Sequence, residues 1–416
     1  MHILYLSHYF APENNAPAAR VHAMGKEWVR NGHEVTVVTC APNVPTGVVY
    51  EGYRNELWQQ EWVDGIRAIR VWTFLAANAG TVRRTANFLS YFATASLAAP
   101  FVRRPDVVIA TSPQFFAGWA GVPAHWVHRV PFVLEIRDLW PESITAVGAL
   151  RRGAAVRALE WLERALYRTA DHIVTVGDGY KEQLEARGVP AAKIDIVPNG
   201  VETDVFTPRD PDPVVRDRYG VPRDAFVVVF AGTIGMASGL DVALRAARRL
   251  RDRGRDDIVF LLVGDGAVRA ELQAAAHAQA LGNVVFAGMV PRMQLPDVLA
   301  AADACLVHFK RREIFTTILP TKLPEGAAMA KPILLGFEGY AAELVRRADC
   351  GIAFTPEDDT ALAAAAERLA DDPEECHRLG ENGRRHVLAH FDRKVLANDY
   401  LAILERVCDQ ARRRPS

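Results

Sequence analysis

One short segment in the last quarter of the chain places a lysine and a glutamate at a spacing that suits anion binding. Residues 319–325 read LPTKLPE, and GAAMAKP follows them. A turn here is expected to deliver Lys322 to the start of a helix, where free amides and the helix dipole favour negative charge. Lys322 would add a mobile charge for a diphosphate, and Glu325, one turn further on, could accept hydrogen bonds from a ribose diol. The alternative is a solvated Lys322, with Glu325 only offsetting the dipole.

Glycine-bearing turns follow apolar runs in the same half of the chain. Residues 231–239 read AGTIGMASG, and glycines at such a junction, Gly235 among them, let the backbone approach a phosphate closely. The spacing fits neither GxGxxG nor GxxxxGK[ST], so a tight turn that packs a helix explains this segment when it is taken alone. Gly264 lies in a similar turn, and Val290 lies in a loop that could carry a base.

In the first half of the chain, acidic residues follow two predicted strands. Glu13 lies between the first strand and the first helix, and Asp138 directly follows a later strand. Ligands bind at the carboxyl ends of parallel strands in sheets of this kind. A carboxylate exposed there, with His8 on the same rim, can orient or deprotonate a hydroxyl group. For Asp138 the alternative is a helix N-cap or a salt bridge with Arg137.

These residues need a scaffold of parallel strands, and the apolar pattern predicts one. Short apolar runs alternate with amphipathic segments, stop at a proline-rich connector (residues 207–213) and then start again, which predicts two Rossmann-like doubly wound α/β domains facing a cleft. We expect domains at residues 1–205 and 206–385, and a helix at 386–416 that returns to the first domain. The predicted strands are 2–6, 34–39, 66–71, 106–110, 132–136 and 172–176, then 226–231, 258–263, 284–287, 304–308 and 332–335.

Composition argues against several classes of protein. The net charge of -1 gives no global attraction to nucleic acid. The five cysteines are scattered without a CxxC pair, which fits a reducing cytosol better than a disulfide framework or a zinc site. Asp210 and Asp212 resemble a metal-binding pair, but turn chemistry in the connector explains them better, and we expect no metal site. Without a signal peptide or an apolar run of ~20 residues, the chain is expected to be cytoplasmic.

A basic and aromatic segment, residues 83–104, is a candidate for contact with a membrane. Two arginines stand at each end, and the uncharged body between them includes Phe88 and Phe92. Such a pattern suits a helix lying in the membrane interface. A helix buried in the protein core with arginines at its ends is the equal alternative.

Taken in order, these segments resemble the family-four retaining glycosyltransferases, which have the GT-B fold. Within that family the chain most resembles the L-fucosamine-type transferases of bacterial O-antigen and capsule synthesis. The resemblance covers nearly the whole chain and depends on the pieces occurring together. Those pieces are residues 9–13 with Arg20, 32–39, 45–47, 50–53, 71–73, 137–142, 198–201, 264–266 and 320–332.

The resemblance implies that the second domain binds a nucleotide-sugar, most often a UDP-sugar, with an N-acetylated amino sugar among the candidates. It assigns Lys322 and the Gly235 loop to the diphosphate, Val290 to the base and Glu325 to the ribose. The remaining members of the implied donor site are Ser238, Gly264, Thr321 and Leu323. The implied acceptor is a lipid-linked or other glycan, bound by the first domain at the inner leaflet of the membrane.

The implied reaction needs no metal and no other cofactor. Positive charge and helix-terminal amides stabilise the departing nucleoside diphosphate. The acceptor hydroxyl attacks from the same face, so the anomeric configuration is retained. Lys322, Asp138 and Glu13 are the predicted catalytic residues.

The chain departs from the family pattern at several of these positions. Thr317 stands where the first of two paired glutamates is usual, which removes an expected contact with the donor sugar. Ser238 replaces a common lysine, so Lys322 is expected to carry the diphosphate charge with help from an arginine such as Arg312. Ala16 stands where a glycine is usual near the leaving phosphate.

Three other functions remain compatible with two Rossmann-like domains. A UDP-sugar 2-epimerase would need carboxylates and histidines around the sugar, and Thr317 weakens that hypothesis. A nicotinamide-dependent dehydrogenase would need GxGxxG after the first strand, which the sequence lacks. A transferase that acts on a small soluble acceptor is the third alternative.

Overall fold

The chain forms two compact units in the structure, a computed structural model. One unit comprises Met1–Asn199 with Lys394–Ser416, and the other comprises Gly200–Arg393. The predicted boundaries, 205/206 and 385/386, therefore differ from the observed ones. The cause is a backbone pairing in which Val201 N donates to Phe391 O (2.8 Å) and Arg393 N donates to Val201 O (3.0 Å), tying both boundary segments to the second unit. The described residues are 1–13, 15–44, 46–76, 81–112, 115–138 and 153–413.

The first unit contains an eight-stranded sheet of order β3-β4-β2-β1-β5-β6-β7-β8. All neighbouring strands are parallel except β3 and β4. The central strands are buried on both faces, as continuous apolar runs in parallel sheets require. The strands are β1 (His2–Leu6), β2 (Glu34–Cys40), β3 (Trp58–Val63), β4 (Ile66–Val71), β5 (Val107–Thr111), β6 (Phe132–Ile136), β7 (His172–Thr175) and β8 (Ile194–Ile196).

Helices cover both faces of this sheet. The first begins after Asn15, whose side-chain oxygen accepts a hydrogen bond from Ala18 N (2.9 Å) and so satisfies a free amide. The last packs on this unit through Tyr400, whose ring meets Trp28 edge to face at 5.4 Å. The helices of the described part are Ala16–Arg30, Thr81–Ala98, Phe115–His128, Ala154–Thr169, Asp178–Ala186 and Arg393–Arg413.

The second unit contains a six-stranded, all-parallel sheet of order β11-β10-β9-β12-β13-β14. Its strands are β9 (Phe226–Ala231), β10 (Ile258–Val263), β11 (Val284–Gly288), β12 (Ala304–His308), β13 (Ile333–Gly336) and β14 (Gly351–Phe354). Its α-helices in the described part are Pro213–Arg218, Asp241–Asp252, Arg269–Ala278, Leu295–Ala300, Lys322–Ala328, Tyr340–Ala348, Asp359–Asp371 and Pro373–His390. The two parallel-sheet α/β units confirm the predicted fold class.

The sequence failed to predict three strands, all of them at sheet edges. Trp58–Val63 reads WQQEWV, and its residues are half-buried or exposed, so it lacks the apolar signal of a central strand. Ile194–Ile196 has three residues and Gly351–Phe354 has four, too short for a clear period. A continuous apolar run indicates a strand that is buried on both faces. It gives no signal for a strand that lies half-exposed at a sheet edge.

The segment at residues 83–104 lies mostly in the helix Thr81–Ala98. Phe88 is only 7% exposed, with its ring 5.7 Å from that of His8, and Phe92 packs against the core of this unit. The expectation that these two aromatic residues insert into a membrane is therefore wrong. In the described part of the chain, no helix is both long and apolar enough to cross a bilayer.

A buried ion pair joins the first helix to the sheet of the first unit. Arg20 Nε lies 2.6 Å from Oε1 of Glu135, and both side chains are almost completely buried. The other guanidinium nitrogens of Arg20 donate to the carbonyl oxygens of Val197 (2.9 Å) and Pro198 (2.5 Å). Arg20 thus fixes the last residues of the first unit before the chain enters the second.

We expect Arg20→Met to destabilise the protein by about 3–5 kcal/mol, because it removes the cation that hydrogen-bonds to the buried Glu135 carboxylate. Arg30→Met is the matched control, since Arg30 lies on the same helix and pairs with Glu27 at the surface. That change should cost ~1 kcal/mol or less. Urea unfolding of the three proteins measures both effects, and equal midpoints for the two variants would contradict the role given to Arg20.

Candidate functional site

The predicted turn leads into a helix that begins at Lys322, as the sequence indicated. The ammonium group of Lys322 lies 5.2 Å from the centre of the Phe230 ring and 5.7 Å from that of Phe309. Burial lowers the pKa of Lys322, and the nearby Glu325 opposes that shift. Over the described residues, Lys322 makes no hydrogen bond or ion pair. The second unit therefore holds a largely buried cation that faces aromatic rings and makes no ion pair with a described carboxylate.

A glycine makes room for this lysine. A Cβ atom added at Gly232 would lie 2.2 Å from Cε of Lys322 and 2.8 Å from its Nζ. Gly232 also has a φ of +150°, which side-chain-bearing residues rarely adopt. The position therefore requires glycine for two separate reasons, and the absent side chain lets Lys322 lie against the end of β9.

The turns after β9, β10 and β11 are joined by backbone hydrogen bonds. Gly232 N donates to Val263 O (2.9 Å), Ile234 N to Asp265 O (2.9 Å), and Gly264 N to Gly288 O (2.8 Å). A Cβ atom at Gly264 would lie 1.9 Å from Gly232 O, so only glycine allows this approach. Backbone, not side chains, therefore forms this rim at the carboxyl ends of the strands, where ligands bind in parallel sheets.

Gly235 and Ser238 lie in the loop between β9 and the following helix. Gly235 precedes a short 3-10 turn, Met236–Ser238, and Ser238 N donates to Gly235 O (3.1 Å). The Ser238 hydroxyl is buried and donates to Thr233 O (2.8 Å). The serine that replaces the family's lysine thus ties the loop to itself and adds no charge to it.

Glu325 lies in the first turn of its helix and contacts an arginine that the sequence did not single out. Arg292 Nη1 lies 3.2 Å from Oε1 of Glu325, and the Arg292 guanidinium lies over the Phe206 ring at 5.4 Å. Burial raises the pKa of Glu325, while Arg292 lowers it. Arg292 is thus the arginine that lies against Glu325, whereas Arg312, the arginine named from the sequence, is exposed.

The remaining predicted donor residues differ in what they present. Val290 is half-buried and packs on the core of the second unit, and Thr321 is exposed directly before the helix. Leu323 is 1% exposed and lies in that core, so its side chain does not face solvent. Leu323 was predicted as a donor-site residue only because it stands next to Lys322 in the helical turn.

In the first unit, Glu13 and Asp138 have different surroundings. Glu13 is buried, and its oxygens accept hydrogen bonds from Asn43 N (2.9 Å), Val44 N (3.2 Å) and Asn15 Nδ2 (3.2 Å). These bonds hold the loop after β2 in place. Glu13 therefore has a structural contact and is not the exposed carboxylate that the sequence suggested. Asp138 is half-buried just after β6, and its carbonyl oxygen accepts from the Ser112 hydroxyl (3.4 Å). Residues 139–142 of the same motif lie outside the described residues.

His308, the last residue of β12, holds the loop between β9 and the following helix in place. The sequence contains no indication of this role. Its Nδ1 donates to Ser238 O (2.7 Å), and its Nε2 accepts from Glu357 N (2.9 Å). These partners require a neutral ring, and burial lowers the pKa of His308 accordingly. A lone histidine at a strand end gives no sequence signal, because both of its partners are backbone groups from distant segments.

Two family models match the chain almost end to end. Residues 15–200 match the Glycosyl transferase 4-like domain, and residues 212–386 match Glycosyl transferases group 1. The chain belongs to the GT-B glycosyltransferases. The transferase is 26% identical over 327 residues to WcaI of Escherichia coli K12, whose name assigns it to colanic acid biosynthesis as a glycosyl transferase, and the match covers 76% of this chain and 78% of WcaI.

Solved structures share the fold of the transferase. Sucrose-phosphate synthase from Thermosynechococcus elongatus has a TM-score of 0.73 at 19% identity, with 98% of each chain covered. HepE of Anabaena in complex with UDP-glucose has a TM-score of 0.68 at 17% identity, with 98% of this chain and 100% of HepE covered. The transferase therefore shares the fold of these enzymes, and Lys322 with its glycine rim is the candidate place for a donor.

Lys322→Ala should weaken UDP binding by ~1.5–3 kcal/mol, roughly 10- to 150-fold, because a charged hydrogen bond to the diphosphate is lost. Lys331→Ala removes the same charge nine residues away, where the ammonium donates to Ala300 O, and should leave UDP affinity unchanged. Affinity should also decline on the alkaline side below the ordinary lysine pKa of 10.5, because burial lowers the pKa of Lys322. Calorimetric titration measures both effects, and wild-type affinity in Lys322→Ala would remove this lysine from the donor site.

The pH dependence of stability should reveal His308. Since its pKa is lowered from 6.5, its contribution to the free energy of unfolding is complete above that pH and declines as the pH falls below it, by at most about 1.4 kcal/mol per pH unit. Wild type should therefore lose more stability than His308→Gln between pH 8 and 5, measured by urea unfolding. His277→Gln, at an exposed histidine, should follow wild type. Parallel curves for wild type and His308→Gln would contradict the assigned neutral ring.

Proposed function

We propose that the transferase moves a sugar from a UDP-sugar to a lipid-linked glycan in bacterial surface polysaccharide synthesis, with retention of the anomeric configuration. The observation that carries the donor assignment is the cation of Lys322, which is largely buried beside a rim of backbone amides. Such a site suits a diphosphate because the anion would supply the charge that the described residues do not. HepE, of the same fold, was solved with UDP-glucose, which makes UDP-sugars the first donors to test.

The acceptor class rests on relatedness. WcaI, named for colanic acid biosynthesis, matches three quarters of this chain. Colanic acid synthesis is the process in the name of that protein, and we extend only the general class, surface polysaccharide assembly, to this chain. A lipid-linked acceptor in the cytoplasm follows from the same proposal.

The mechanism assigns charge stabilisation to the second unit and acceptor orientation to the first. Lys322 would stabilise the negative charge that develops on the leaving diphosphate, at a rim whose amides Gly232 N, Ile234 N and Gly264 N already donate to backbone carbonyl oxygens and fix the turns. Arg292 would hold Glu325 in place for a ribose hydroxyl, since the carboxylate keeps a second oxygen for that bond. Asp138 would orient the acceptor hydroxyl, while the leaving phosphate takes its proton. Glu13 would act indirectly, through the loop that it holds.

Incubation with a panel of UDP- and GDP-sugars, with and without a polyprenyl-diphosphate glycan, tests this function. We expect UDP release and a glycosylated lipid only when donor and acceptor are both present. Activity should survive EDTA, because the described residues contain no group of three or more His, Cys, Asp or Glu side chains able to hold a metal. Epimerised UDP-sugar without acceptor, or activity lost to EDTA and restored by manganese, would contradict the proposal.

We propose further that the first unit rests on an anionic membrane leaflet through the end of the helix Thr81–Ala98. Leu97 is 71% exposed and Phe101 is 76% exposed, and after the buried Val102 come the exposed Arg103, which pairs with Glu34, and Arg104. Leu97 and Phe101, and not the buried Phe88, are therefore the side chains that we propose to insert into the membrane. Exposed apolar groups beside arginines suit the interface of an anionic bilayer.

Replacing Leu97 and Phe101 by serine together should reduce co-sedimentation with anionic vesicles, because the inserting side chains are lost. Leu57→Ser changes an equally exposed leucine on another part of the unit and should have no effect. Binding should also weaken in high salt, which screens the arginines. Equal binding of all three proteins, or none by wild type, would remove this face from the membrane contact.

A further inference from the structure

Arg269, the first residue of the helix Arg269–Ala278, has a guanidinium group that donates no hydrogen bond to the described residues. Its Nε atom is buried and has no partner. The terminal nitrogens, Nη1 and Nη2, keep contact with solvent, and 30% of the side chain is exposed. A partly shielded guanidinium with free N–H groups that solvent can reach is a ready donor for a ligand.

One carboxylate lies near this group but does not accept a hydrogen bond from it. Oδ1 of Asp265 is 3.9 Å from Nη1 of Arg269, and the same oxygen accepts from Gly266 N at 2.8 Å. Asp265 and Glu271, in the first turn of the helix, are both exposed and offset the charge of Arg269. The place therefore has no excess of positive charge for a phosphate. Free N–H donors beside an offset charge suit a neutral acceptor, such as a carbonyl oxygen.

The guanidinium lies at the carboxyl end of β11, on the same rim as the candidate donor site. A Cβ atom added at Gly288, the last residue of β11, would lie 3.7 Å from Nη2 of Arg269. The carbonyl oxygen of Gly288 accepts from Gly264 N (2.8 Å), and Lys322 lies against the end of β9. Only β10 separates β9 from β11, and neighbouring strands lie ~4.8 Å apart, so the two strand ends are about 10 Å from each other.

The loop after β11 leads from Arg269 towards the proposed place of the ribose. It ends at Arg292, which begins a short 3-10 turn and whose Nη1 lies 3.2 Å from Oε1 of Glu325. A donor with its diphosphate at Lys322 and its ribose at Glu325 has only its base left to place. This loop, which begins at Gly288, is the part of the rim that would meet the base, at the carboxyl ends of strands where ligands bind.

We propose that Arg269 recognises the base of the donor by donating a hydrogen bond to O4 of uracil, the keto oxygen farthest from the ribose. This inference rests on the proposed function in placing a uridine nucleotide at Lys322. A guanidinium can only donate, so it matches a keto oxygen and opposes the amino group that cytosine carries at the same position. Arg269 is thus a specificity-determining residue that favours uridine over cytidine nucleotides.

Calorimetric titration of the full protein with UDP and with CDP tests this role. We expect wild type to bind UDP about ten-fold more tightly than CDP, and Arg269→Met to lose most of that preference through weaker UDP binding. Arg251→Met is the matched control. Arg251 is 33% exposed, also pairs with an aspartate, Asp252, and donates to Gln279 O away from the rim, so its removal should leave the preference unchanged.

A second probe isolates the oxygen atom that Arg269 contacts. UDP with sulfur in place of O4 keeps the ring N–H that cytosine lacks and differs from UDP only in this acceptor. Wild type should bind this analogue several-fold more weakly than UDP, whereas Arg269→Met should bind the two alike. Arg269→Lys keeps a donor on a flexible side chain and should retain part of the preference.

The outcomes separate base recognition from a structural role and from the proposed function. The inference is wrong if wild type does not prefer UDP to CDP, or if Arg269→Met keeps the wild-type ratio. It is also wrong if Arg269→Met weakens both nucleotides equally, which is the result of a merely structural role. In each of these cases, UDP binding that depends on Lys322 leaves the proposed function standing. A wild type that binds neither nucleotide contradicts the proposed function and the inference with it, before any Arg269 variant is made.

Discussion

The second unit of this transferase depends on holding an ammonium group in a poorly solvated place without a carboxylate to neutralise it. Removing a charge from water is unfavourable unless other groups compensate, and here the compensation from described residues is limited to two aromatic faces and a more distant Glu325. The arrangement leaves Lys322 ready for an anion. It also explains the glycine at 232, since any side chain there would occupy the space of the lysine.

Hydrogen bonds between neighbouring turns hold the rim around Lys322 together. Backbone hydrogen bonds join the turns after three neighbouring strands, and the Ser238 hydroxyl closes the glycine loop on itself. His308 connects that loop to Glu357 N through a neutral imidazole. The loop lacks the lysine that is common in the family. These contacts therefore preserve the conformation of the loop and add no charge to it.

The sequence was informative where the signal was local. The turn before Lys322, the apolar central strands and the repeated α/β pattern each depend on neighbouring residues, and the fold class followed from them. The loop arginine Arg292 and the buried His308 depend on contacts between distant segments, so no spacing could reveal them. Leu323 and Glu13 were selected by position in a motif, but their side chains turned out to lie in a core and in a loop-holding network. Phe88 was ambiguous because an apolar helix with basic ends looks the same in a core and at a membrane.

The central claim is that the nucleoside diphosphate of the donor binds at Lys322 on the glycine rim. A crystal structure of the transferase with UDP tests it most directly. We expect a diphosphate oxygen about 3 Å from Nζ of Lys322, with other diphosphate oxygens facing the backbone of the Gly232–Gly235 turn. A diphosphate bound elsewhere, with Lys322 still facing only Phe230 and Phe309, would contradict it.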